Sequence, residues 1–228
     1  MAKDKTSDLL IEQYQYFLNK MSSSGILVVV SKQQSLEKIN LLYQAGCRDF
    51  GENKVQDLLK KKEQLPQDIR WHFLGSLQRN KVKYISNFIH LIHSVDRLEL
   101  LEELEKEGKK INKKISILLQ FHIAQEIQKQ GFSIQEKNWA WTENLNFFNQ
   151  FSHLNFKGVM GMASLTENQK QISQEFGTLN FIFNHLKQNY FSHQPNFYIK
   201  SMGMSSDYEL ALAEKSNCLR IGNAIFGK

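Results

Sequence analysis

The chain has 228 residues, of which 41% are hydrophobic, enough to bury a large core in one α/β barrel or in two small domains. Its net charge of +6 rests on 24 Lys and only 5 Arg, in blocks such as KKKEQ and EKEGKKINKK that mix Glu among the Lys; this is a solvated surface and argues against a nucleic-acid partner. The polar start, MAKDKTSDLL, has no apolar h-region, and no later apolar run approaches the roughly 20 residues of a membrane span, so the expectation is a soluble, cytoplasmic protein with no membrane partner.

Pro and Gly are few, 2 and 12, and no Ser/Gly-rich or single-sign linker divides the chain, which predicts a single domain over 1–228. Cys47 and Cys218 form no CxxC pair and are expected to be buried thiols rather than a disulfide or a zinc site.

Along the chain, Leu10, Tyr14, Phe17 and Met21 fall at spacings of three and four and predict an amphipathic helix over 7–21. ILVVV (26–30) then reads as a strand buried on both faces, as parallel strands are. Ser35 offers an N-cap, Glu37 lies in the first turn, Leu36, Ile39 and Tyr43 form a stripe, and Gly46 stops that helix. The alternation continues through CRDFGEN (47–53), WHFLGS (71–76), FIHLIHSVD (88–96), ISILLQF (115–121), FKGVMGMA (156–163), FYIKSMGM (197–204) and CLRIG (218–222).

Eight such segments separated by helical stretches predict a TIM-type (β/α)8 barrel, although a doubly wound open sheet would show similar alternation. The sequence ends six residues after the eighth segment, and the N-terminal helix is expected to fill the place of the eighth. The interval 131–155, with NWAWTENLNFFNQF, is expected to hold an extra helix whose aromatics join the core.

In such a barrel the site lies at the C-terminal strand ends, where Lys32, Asn53, Ser76, Ser94, Ser201 and Asn223 stand, with Gly51, Gly75, Gly161, Gly203 and Gly222 beside them. SMGMSSDYE predicts a capping box with Ser206 as N-cap and Glu209 at N3. The loops after the last two strands read either as ordinary turns or as a phosphate cup of backbone N–H groups. Arg220, inside an apolar strand, must meet an acceptor: a structural ion pair or a ligand. Lys32 reads either as a solvated charge closing a strand or as a reactive amine with a lowered pKa.

Several stretches together resemble the pyridoxal phosphate homeostasis family, which is related to the barrel domain of alanine racemases. They are VVVSK, CRDFGENKVQ, WHFLGSLQRNK, IHSVDRLEL, ILLQFHIAQEIQKQGF, GVMGMAS and SMGMSSDYELALAEKSNCLRIGNAIFG, spanning nearly all of the chain from residue 26. The resemblance implies a type III PLP-binding barrel that carries pyridoxal 5′-phosphate (PLP) as a Schiff base on Lys32. It implies that the turn Ser201, Met202, Gly203 and the pair Gly222–Asn223 hold the phosphate, and that Arg220 faces the pyridine nitrogen. Asn53, His72, Ser94 and Met160 would line the ring pocket. Asn223 stands where the family usually has Ser or Thr, leaving the backbone N–H for the phosphate, and His122 stands where Asn is common.

An arginine opposite the ring nitrogen disfavours its protonation and weakens the cofactor as an electron sink. Racemases also recruit a second acid/base from a C-terminal domain and a partner subunit, and this chain stops after the eighth strand. The expectation is therefore a monomeric PLP-holding protein of vitamin B6 homeostasis, with apo PLP-dependent enzymes as possible recipients, rather than a turnover enzyme. The alternative is a low-activity amino-acid racemase or lyase.

Overall fold

The computed structural model describes residues 5–126, 130–133, 144 and 146–227. Helix α1 (Lys5–Lys20) buries Leu10, Tyr14 and Phe17, and strand β1 (Ile26–Val30) follows it. Helix α2 (Leu36–Gln44) starts at Ser35, whose Oγ accepts from the Lys38 N–H; Gly46 ends the turn with φ +100°, a left-handed conformation that side chains rarely adopt.

Then come β2 (Asp49–Glu52), α3 (Val55–Gln64), β3 (Arg70–Phe73), α4 (Val82–Ile85), β4 (Leu91–Val95), α5 (Leu98–Lys110) and β5 (Ile115–His122). A two-residue strand, β6 (Phe132–Ser133), extends the end of β5. The last elements are β7 (Leu154–Gly161), α6 (Gln169–Asn189), β8 (Ile199–Ser201), α7 (Tyr208–Ala213), β9 (Cys218–Ile221) and α8 (Asn223–Phe226).

Every pairing is parallel. The order β1-β2-β3-β4-β5-β7-β8-β9 closes through β9–β1 and β4–β5 into an eight-stranded barrel, and the open-sheet alternative falls away. Closure explains why ILVVV shows no alternation. Val28 points into the bore with Leu91, Leu118, Met160, Ile199 and Cys218, while Leu27 and Val29 point outward into the larger core under the helices. α1 packs against α2 and α8, at the seam between the first and last repeats, as expected.

Two expectations need correction or restriction. The capping box is absent: α7 begins at Tyr208, and its N-cap is Asp207 rather than Ser206, with no side-chain cap bond. The Asp207 carboxylate turns back to accept the Met204 N–H at 2.6 Å, so it closes the preceding loop instead of capping the helix. The extra helix over 131–155 falls largely on 134–143 and 145, outside the described residues. Within its described part a short 3-10 turn, Phe147–Gln150, carries the buried Phe148 into the core, and Phe151 follows it there.

Candidate functional site

Because all strands of the barrel run the same way, their C-terminal ends open on one face. Lys32 lies there, two residues beyond β1, exposed, and its ammonium has no hydrogen bond or ion pair among the described residues. Its backbone is anchored from behind. The buried Ser31 hydroxyl donates to Glu52 Oε1 at 2.7 Å, and Lys61 of α3 donates to both the Ser31 carbonyl (2.7 Å) and Glu52 Oε1 (2.6 Å). This buried ion pair ties the ends of β1 and β2 to α3.

Asn53 and Ser76 stand exposed just past β2 and β3 on the same face. Ser94, next to last in β4, is 1% exposed and its Oγ has no partner among the described residues. Met160 fills the bore beneath. Met202 packs into the outer core, which leaves only its backbone for a ligand at the mouth.

Gly203 has φ +99° and lies where a Cβ would come within 2.6 Å of the Ala211 Cβ and 2.7 Å of Leu219; its carbonyl accepts the Arg220 N–H at 3.0 Å. Ser205 Oγ accepts the Ala224 N–H at 3.2 Å, so the loops after β8 and β9 are stitched together around Gly222 and the exposed Asn223.

Arg220 reaches through the bore and is 5% exposed. Its Nη1 donates to Ser201 Oγ at 2.6 Å and its Nη2 to the Gly161 carbonyl at 3.1 Å. The guanidinium here is a fixed cation that donates to two neutral oxygens and, among the described residues, to no carboxylate.

His72 occupies a lower level than the resemblance implied. It is completely buried, with Nδ1 at 2.9 Å from His93 Nε2 and Nε2 at 3.0 Å from Asp49 Oδ1, at the N-terminal end of β2. Both ring nitrogens are committed to hydrogen bonds within the barrel. His93 in turn lies 2.9 Å from Ser201 Oγ through Nδ1.

The sequence reading passed over His93, Asp49 and the Ser31–Glu52–Lys61 anchor. A signal existed: WHF places one polar residue, and DFGE and LIHSV two each, among apolar neighbours in strands flanked on both sides, where a polar group must find a partner.

The donor atoms of Asp49, His72 and His90 lie within 4.8 Å of one another. The Asp49 oxygen that faces His72 already accepts from two N–H groups, Arg70 Nε at 2.8 Å and His72 Nε2, while Arg70 Nη2 holds the other oxygen at 2.5 Å. The cluster is closed by hydrogen bonds and faces a cation. Cys218 is buried in the bore and Cys47 in the outer core, both as free thiols, and burial pushes them up to about 11 and about 12 respectively, so they are inert packing groups.

The alanine racemase N-terminal domain family matches residues 7–228. A pyridoxal phosphate homeostasis protein of Helicobacter pylori is 38% identical over 208 residues, covering 88% of this chain and 86% of the relative. One of Buchnera aphidicola is 34% identical over 224 residues, covering 96% and 94%. Among solved structures, PipY of Synechococcus elongatus with PLP bound superposes with a TM-score of 0.84 at 29% identity, covering 96% of this chain and 100% of PipY. With nearly the whole chain matched and whole-length relatives above 30% identity, the chain belongs to the alanine racemase N-terminal domain family and, within it, to the pyridoxal phosphate homeostasis proteins.

Proposed function

We propose that this chain holds PLP as a Schiff base on Lys32 and serves intracellular PLP homeostasis. The observation that carries the reading is an exposed lysine at the barrel mouth, Lys32, without a partner among the described residues, over a bore that holds the buried Arg220 on neutral oxygens with no carboxylate contact among the described residues. The residues fit the cofactor. Ser94 keeps a buried hydroxyl without a partner, aimed at no other described group. The Gly203 turn and Gly222–Asn223 bring backbone N–H groups of two stitched loops to one place, suited to a phosphate.

Within this reading the roles divide by height. Lys32 is the covalent anchor, Asn53 and Asn223 sit at the rim, and Ser94, Met160 and Arg220 form the wall and floor. Ser201 and Met202 offer backbone only. His72 acts through its neighbours.

When bound, PLP supplies an electron sink for carbanion chemistry. Arg220 moderates that capacity, because a permanent cation beside the ring nitrogen opposes its protonation, and this favours holding the cofactor over turning over amino acids.

The test is the absorption spectrum of purified protein titrated with PLP, in wild type and Lys32→Ala. A band that appears in wild type, is bleached by borohydride to leave a stable secondary-amine adduct, and is absent in Lys32→Ala is expected. An unchanged band in Lys32→Ala would overturn the assignment, and steady turnover of a defined amino acid would favour a racemase or lyase.

A further inference from the structure

A chain of hydrogen bonds runs along the bore from Asp49, the first residue of β2, through His72 and His93 to Ser201, the last residue of β8, and on to Arg220. Its direction follows from the groups at its two ends. Burial opposes ionisation of Asp49, but hydrogen bonds from Arg70 and His72 outweigh it and hold the carboxyl well below its usual range. An ionised carboxylate only accepts, so His72 must carry its hydrogen on Nε2.

With the Nδ1 of His72 as the acceptor, the hydrogen between the two rings belongs to His93 Nε2. Burial pushes His93 far below its ordinary pKa, and the Arg220 cation adds to it, so His93 is neutral and its Nδ1 accepts from the Ser201 hydroxyl. Arg220 only donates, and it takes a lone pair of the same Ser201 oxygen. Each link then has one donor and one acceptor, all in the same sense, and links of this kind polarise one another.

We propose that Asp49 is a positioning residue for the cofactor site at the opposite end of the barrel. Through His72 and His93 it turns the Ser201 proton inward, which presents a lone pair to Arg220 and fixes the guanidinium where the ring binds. The inference rests on the PLP reading for what Arg220 faces. It also assigns the phosphate to backbone groups of the Ser201–Gly203 turn, because the Ser201 hydroxyl is spent on His93. In the opposite sense His93 Nδ1–H and Arg220 Nη1–H would both donate to the Ser201 oxygen, filling its two lone pairs and turning its own proton away from the relay.

Imidazole 15N NMR of the cofactor-free protein tests the relay without PLP. His72 and His93 are both expected to be protonated at Nε2. Asp49→Asn, whose amide can donate as well as accept, should lose this fixed assignment. Cys47→Ala, a buried change two residues away that meets Asp49 only at its backbone carbonyl, should keep it.

PLP binding provides the second readout. Asp49→Asn should bind PLP ~3- to 10-fold more weakly with a shifted absorption maximum, and Cys47→Ala within about 2-fold of wild type. A wild-type His93 protonated at Nδ1, or equal losses in the two variants, would overturn the proposal, the first without any mutant needing to fold. Expected tautomers in a wild-type protein that fails to bind PLP would instead sink the cofactor reading and leave the relay standing.

Discussion

The two ends of the barrel differ in how far their polar groups are satisfied. At the N-terminal end and through the bore, Asp49, Arg70, His72, His93, Ser201 and Arg220 are linked by hydrogen bonds of 2.5 to 3.1 Å. At the C-terminal mouth Lys32 stands free among the described residues, and Ser94 keeps an orphaned hydroxyl. An unmet polar group is costly in an interior, and the buried Ser94 hydroxyl falls at the end where the proposed cofactor would sit, while the other end is closed by hydrogen bonds within the protein.

The largest stability effect should come from the anchor behind Lys32. Lys61→Met leaves the fully buried Glu52 charged and unpaired and should cost ~3–5 kcal/mol in denaturant unfolding. Adding Glu52→Leu should recover most of it; no recovery would mean that Lys61 acts elsewhere. Next, Gly203→Ala forces a Cβ toward Ala211 and Leu219 at φ +99° and should cost ~1–3 kcal/mol, with PLP affinity falling in parallel.

The sealed interior should also show in the pH dependence. His93 is neutral in the folded protein because burial, with His72, Arg220 and His90 nearby, depresses its pKa, whereas the unfolded chain takes up a proton below pH ~6.5. The stability it contributes is present above that pH and is lost as the pH falls. Melting temperature should drop from pH 7 toward 5, and less steeply in His93→Gln; parallel profiles would remove His93 as the cause. The smallest effect is expected at the mouth. Ser94→Ala deletes a hydroxyl that has no partner among the described residues, so the cofactor-free protein should change by less than ~1 kcal/mol while PLP binding weakens.

The barrel was legible from the sequence because eight apolar segments and their helices follow simple periodicities, whereas Lys32, which its place after ILVVV left open as a solvated charge, was singled out by the family resemblance. The polar interior was not. His72 reads locally as one polar residue at a strand end, and its partners Asp49 and His93 come from β2 and β4, brought beside it only by strand pairing. The capping box failed for a related reason. Ser206 and Glu209 have the right spacing, but Asp207 between them closes the loop onto Met204 first. Local patterns gave the elements, whereas contacts across strands decided which side chains serve the site.

The most direct test of the central assignment is peptide mass mapping of wild-type protein incubated with PLP and reduced with borohydride. The account expects a single modified peptide carrying the adduct on Lys32, and none in Lys32→Ala. Adducts scattered over the exposed lysines, with Lys32 no more modified than the others, would contradict it.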